Sequence, residues 1–166
     1  MAVAVRLEPW GAGDRDLLTR LLGDPAMMTH LGGPESPEKI ADRQRRYEAD
    51  PAQLKIMLGD DDVAAGWIGS WPREWRGEVV LEVGWSVLPA MQGRGIARAA
   101  TAAMIERIRA ERPDARLHAF PAVDNAASNA LCRSLGFTLL GAFDVEYPPG
   151  HALRCNDWAL ELGDPV

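Results

Sequence analysis

The chain has 166 residues, 47% hydrophobic and 25% charged, with a formal net charge of -6, a composition that suits one soluble globular domain with a single core. Net negative charge argues against a general nucleic-acid binder, which needs a basic face, and no apolar run reaches membrane-spanning length. The cysteines, Cys132 and Cys155, show no framework or metal-knuckle spacing, and His30, His118 and His151 form no HxxxH or HxH pair, so no metal is expected. Val3–Leu7 alternates as a first strand. Gly13-Asp14 opens a helix with Leu17, Leu18, Leu21 and Leu22 at helical spacing, ended by Gly23-Asp24-Pro25. The loop "AMMTHLGGPES" leads to a mostly polar surface helix with Ser36 as N-cap and Pro37 at its first position. Strands are expected over Leu54–Leu58, Val63–Ser70 and Glu78–Leu88, with turns at 59–62 and at Trp71–Gly77. Gly95–Arg109 reads as a helix carrying Ile96, Ala100, Ala103, Met104 and Ile108 on one face, stopped by Arg112-Pro113. A strand over Leu117–Val123, a short helix over Asn125–Leu135 with Gly136 as C-cap, and strands over 137–146 and 154–161 around "YPPGHA" complete the chain. The predicted fold is α/β of the α+β kind: one domain over 1–166, built on a mixed, mostly antiparallel sheet of about six to seven strands with helices on both faces. Sparse cysteines and an N-terminus without a long apolar leader point to the cytoplasm.

"SVLPAMQGRGIARAA", residues 86–100, sets a glycine-rich loop in front of a helix. It lacks the Lys-Ser/Thr pair of a P-loop, and "GRGIAR" supplies only two glycines of the dinucleotide fingerprint. What remains is an anion site, in which Gly93 and Gly95 open main-chain N–H groups to close approach, the helix dipole favours negative charge, and Arg94 and Arg98 add charge-assisted bonds. A tight strand-to-helix turn that needs glycine only for its geometry explains the loop equally well on its own.

The flanking residues separate these readings. "VGWSVLPAMQGRGIA" resembles the pyrophosphate-binding segment of the Gcn5-related N-acetyltransferases (GNAT), Q/R-x-x-G-x-G/A, with Gln92, Gly95 and Ala97 at its defined positions. "NAASNALCRSLGF", Asn125 to Phe137, is similar to a second segment of the branch that acetylates ribosomal-protein alanine. The resemblance implies the GNAT fold and acetyl-CoA as co-substrate; a cytoplasmic monomer or homodimer without metal, nucleic-acid or membrane partner is expected. It implies that main-chain N–H groups of Gln92, Gly93, Arg94, Gly95, Ile96, Ala97 and Arg98 cradle the pyrophosphate. Val87 and Leu88 would pair with the pantetheine amides, and Asn125 and Ser128 would contact the pantetheine arm. Gly84 would mark a bulge that splays this strand from Leu117–Val123.

Acetyl transfer to an amine needs a proton acceptor, donors for the oxyanion, and protonation of the leaving thiolate. The family's direct attack within a ternary complex needs no nucleophilic side chain. Glu82 is the candidate base, although alternation leaves open whether its face is solvated. The oxyanion donor is expected to be a main-chain N–H near Val87. Cys132 stands where many members carry the tyrosine acid and reads as a small buried residue, so Ser128 is the candidate acid. The acceptor, a small-molecule amine or a protein N-terminus, is expected at the early helix–loop–helix and the last hairpin, with His30, Glu35, Tyr47 and the loop residue Trp71 as candidate contacts. Small amines include polyamines, amino acids and aminoglycoside-like compounds. The alternative outside enzyme chemistry is an acyl-CoA-binding module without turnover.

Overall fold

In the computed structural model, which describes residues 2–59 and 62–163, local chemistry sets most element ends. Helix α1 (Arg15–Leu22) follows a single 3-10 turn at Ala12–Asp14 and buries Leu17, Leu18 and Leu21. Helix α2 (Pro37–Ala49) is capped by Ser36, whose Oγ accepts from the Lys39 N–H at 3.3 Å. Strand β1 covers Val5–Pro9, later than its apolar alternation suggested, because its antiparallel partner β2 (Gln53–Leu58) sets the span, with Val5 opposite Leu58 and Pro9 opposite Leu54. Part of the expected 59–62 turn, Asp60 and Asp61, lies outside the described residues.

The turn expected over Trp71–Gly77 is corrected. Strand β3 runs from Val63 to Trp75, and only Arg76 and Gly77, at φ +50° and +83°, separate it from β4 (Glu78–Val87). Two consecutive left-handed residues match the tight hairpin turn whose twist suits paired strands. Trp71, Arg73 and Trp75 therefore share one face of β3, alternating with exposed Pro72 and Glu74. A close backbone approach on these strands occurs at Gly66, where an added Cβ would sit 2.0 Å from the Ser86 carbonyl oxygen.

Helix α3 (Ile96–Glu111) buries Ile96, Ala100, Thr101, Met104, Ile105 and Ile108. Ala103, expected on that face, is exposed, because the buried stripe is centred further round the helix. Strand β5 covers only Arg116–Ala119, and a single bridge, Ala122 with Cys155, replaces the rest of the expected strand. Asn125 caps α4 (Ala126–Ser134), accepting from the Ser128 N–H at 3.1 Å, and Gly136 takes φ +84° beyond its end. Strands β6 (Thr138–Glu146) and β7 (Ala152–Glu161) follow.

The strands are hydrogen-bonded in the order β1-β2-β3-β4-β5-β7-β6. Only β4 and β5 pair in parallel among the registered ladders, which otherwise run antiparallel. The chain gathers into two compact units, Met1–Gly69 with Trp85–Ala103, and Ser70–Gly84 with Met104–Val166. In the first, Trp10, Leu17, Leu18, Leu21, Ile40, Tyr47 and Leu88 form the core, with Trp67 packed against it. Tyr47 meets Trp10 edge-on and stacks on Trp67, both at 5.5 Å. Each fully buried side chain of this size contributes about 1.5–3 kcal/mol. In the second unit Asn129 fastens α4. Its amide donates to the Ala122 and Asn125 carbonyls at 2.9 and 2.8 Å, and its oxygen accepts from Asn156 and Trp158, both at 2.8 Å.

Candidate active site

In the first unit, β4 runs into a 3-10 turn at Pro89–Met91, and the loop 92–95 then opens α3. Gln92 folds back so that its Nε2 donates to the Val87 carbonyl at 2.9 Å, which ties the loop to the strand end. Gly93 and Gly95 take φ +73° and +77°, conformations that L residues other than glycine rarely hold, and an added Cβ at either would meet nothing within 4 Å. Ile96 is buried and pins the loop from beneath, while Gly93, Arg94 and Gly95 are exposed. The first main-chain bond into the helix is Ala99 N–H to Gly95 O at 3.0 Å. Among the described residues no carbonyl accepts from the N–H groups of Gly93, Arg94, Gly95, Ile96 or Ala97. A row of unused donors at a helix N-terminus, under open space, fits a phosphate group. The Leu88 main chain is already engaged, its N–H by the Ala65 carbonyl at 2.8 Å and its carbonyl by the Met91 N–H at 2.9 Å. A further partner reaches Leu88 only through the second lone pair of its carbonyl.

In the second unit, the parallel ladder of β4 and β5 covers two positions, Leu81 opposite Leu117 and Glu82 opposite His118. Glu82 stands where the ladder stops. Its side chain is 16% exposed and accepts on Oε2 from Arg73 Nη1 at 2.9 Å and from Trp71 Nε1 at 3.1 Å. Oε1 takes part in neither bond. The question left open by alternation is thus answered: Glu82 shares a half-buried face with Trp71 and Arg73. The Arg73 guanidinium lies 4.4 Å from the Phe120 ring centroid and 5.2 Å from that of Trp75. Cys132 is fully buried, and burial pushes its thiol up to about 12, which suits a packing residue and not a proton donor. Cys155 is also raised by burial, with Arg73 pulling it down and Glu82 and Asp124 pushing it up.

A model of the GNAT acetyltransferase domain matches residues 4–138. The chain belongs to the GNAT acetyltransferase family. Solved structures share the fold over nearly their whole length. The yncA protein of Salmonella typhimurium, with its cofactor acetyl-CoA, is 22% identical with a TM-score of 0.77, covering 100% of this chain and 97% of that one. A ribosomal-protein-alanine N-acetyltransferase from Brucella melitensis is 24% identical with a TM-score of 0.77, covering 96% and 99%. A phosphinothricin acetyltransferase from Sinorhizobium meliloti, in complex with acetyl-CoA, is 20% identical with a TM-score of 0.75, covering 100% and 91%. At such identities the likeness speaks for the fold. No curated protein matches the chain.

The residues expected to act in this GNAT domain fall into separate groups. Glu82 and Trp71 meet directly, Val87 and Gln92 meet directly, and Asn125 and Ser128 are joined by the helix cap. Trp71 lies on β3 and not on a loop. Tyr47, expected as an acceptor contact, is 8% exposed and belongs to the aromatic core of the first unit, where burial raises its hydroxyl above the ordinary range. Glu35 is ion-paired with Arg43, and His30 sits half-buried in the turn segment before α2. An open hollow of about 450 Å³ in the first unit is lined by Thr19 and Arg20 of α1, by Gly23 and Asp24 after it, and by Leu88–Ala90. The sequence did not single out Arg73: its partner is nine residues away on a neighbouring strand, and only the two-residue turn brings them together.

Proposed function

We propose that this GNAT domain transfers acetyl from acetyl-CoA to a primary amine by direct attack in a ternary complex, and that the acceptor is a protein N-terminal α-amine. The unused donors of 93–97 over an open loop carry the cofactor reading, with Gln92, Arg94 and Arg98 beside them, and with Val87, Leu88, Asn125 and Ser128 assigned to the pantetheine arm. When bound, acetyl-CoA supplies an activated thioester.

Glu82 carries the catalytic reading. Arg73 and Trp71 fix one of its oxygens, so Oε1 has a defined direction in which to accept the amine proton. A main-chain N–H near Val87 would donate to the oxyanion, and the Ser128 hydroxyl would donate a hydrogen bond to the leaving sulfur, the proton that the amine gives up balancing the thiol formed. Because one carboxylate oxygen is committed, the acceptor that least needs deprotonation fits best: an α-amine loses its proton near pH 8, a lysine near about 10.4.

The test is thiol release from acetyl-CoA with a panel of peptides, polyamines, amino acids and aminoglycosides. Turnover of peptide α-amines is expected. Turnover confined to small amines replaces the acceptor assignment, and cofactor binding without turnover on any amine makes the protein an acyl-CoA-binding module.

A further inference from the structure

Behind Glu82 lies a buried histidine–aspartate pair that the proposed reaction does not use. Asp157 on β7 is fully buried, and His118 on β5 is 2% exposed. His118 Nδ1 lies 2.6 Å from Asp157 Oδ1, and Trp75 Nε1 donates to Asp157 Oδ2 at 2.9 Å. In the Nδ1–H tautomer the imidazole donates to Asp157, and its buried Nε2 meets no partner among the described residues. Among the described residues the ring's one polar partner is therefore Asp157. The Asp157 carboxyl is thereby held by two fixed donors, as a buried polar group requires.

Trp75 passes this rigidity on. Its indole is held at the nitrogen by Asp157 and packs on Phe120 and Phe143 at 4.8 and 4.5 Å. Arg73, a long side chain with many rotamers in isolation, lies over both Trp75 and Phe120, and from there its Nη1 reaches Glu82. The charged neighbours of the cluster are Arg76, over the Trp75 ring, and Glu78 and Arg116, which pair with each other at 3.2 Å.

We propose that Asp157 and His118 are positioning residues for the candidate base, acting through Trp75 and Arg73 to aim the Glu82 carboxylate. This rests on the reading of Glu82 as base, and the experiment separates the two. In Asp157→Asn, kcat with the acceptor found in the panel falls about 10- to 100-fold, the range seen when an orienting outer partner is removed, while acetyl-CoA affinity is unchanged. Glu82→Gln lowers kcat about 100-fold or more. In the Glu82→Gln background, Asp157→Asn costs nothing further. An equal additional loss in both backgrounds, or no loss in either, overturns the positioning role and leaves the base in place. A kcat unaffected by Glu82→Gln overturns the base itself, and the positioning role falls with it.

A second readout needs no acceptor. The Trp71 indole N–H bonds Glu82 and reports its position. Asp157→Asn is expected to move the Trp71 indole signal in a proton–nitrogen spectrum, and an unmoved signal overturns the proposal. Where Asp157→Asn does not fold, Trp75→Phe serves in both measurements, since it keeps a ring beneath Arg73 and deletes the N–H to Asp157.

Discussion

Gly66 shows how one missing side chain sets strand geometry. A Cβ there would lie 2.0 Å from the Ser86 carbonyl oxygen and 3.0 Å from the Val87 Cα, all backbone atoms that cannot swing aside. The strands approach this closely just before Val87 and Leu88, which are proposed to meet the cofactor. Gly66→Ala is expected to destabilise the protein by at least about 1–3 kcal/mol, the cost of forcing extra volume into a packed site. Urea unfolding measures it, and an unchanged midpoint would mean that the strands part at no cost. Neighbouring Gly69 differs in kind. There an added Cβ meets the Gln53 and Trp67 side chains, at 2.2 and 2.8 Å.

At the scale of elements, the loop that opens α3 does its work through main-chain conformation. Gly95→Trp is expected to abolish acetyl-CoA binding by calorimetry, because the side chain fills the open cradle and the residue must leave φ +77°. The fold should survive, since Ile96 and the buried stripe of α3 are untouched; unchanged affinity would remove the loop as the phosphate site. This segment and α4 were readable in the sequence because the signals are local: Ser36, Asn125 and Gly136 mark helix ends by chemistry within three residues of themselves. The hairpin was expected but its two-residue turn was not readable, because Arg76 carries no turn signature and adopts φ +50° between two paired strands. Nor was the ring of groups around Glu82. Trp75 and Asp157 are 82 residues apart, and His118 and Asp157 are 39, so no spacing rule connects them.

For the molecule as a whole, burial of weak acids gives stability a direction in pH. Burial holds Cys132 up to about 12 and raises Tyr47 and Cys155 as well. Unfolding returns the Cys132 thiol to its ordinary range, about 8.5. Between these values the unfolded chain binds fewer protons than the native one, so stability falls as pH rises. Below about 8.5 both states keep the proton, and this contribution is complete. Melting temperature is therefore expected to decline from about pH 9 upward, and Cys132→Ala, which cannot ionise, to flatten the decline relative to its own value at pH 7. An identical slope in the variant would show that the alkaline loss arises elsewhere.

The two-residue turn at Arg76–Gly77 acts as a counting device for the chemistry beside it. Side chains on a strand change face at every step, so parity decides which of them look toward Glu82. Trp71, Arg73 and Trp75 have the right parity, and Pro72 and Glu74 have the wrong one. A slip of the β3–β4 pairing by one residue would bring the Glu74 carboxylate onto the face of the Glu82 carboxylate and turn the Arg73 guanidinium outward to water. The register that the turn closes thus fixes the sign of the charge that meets the candidate base.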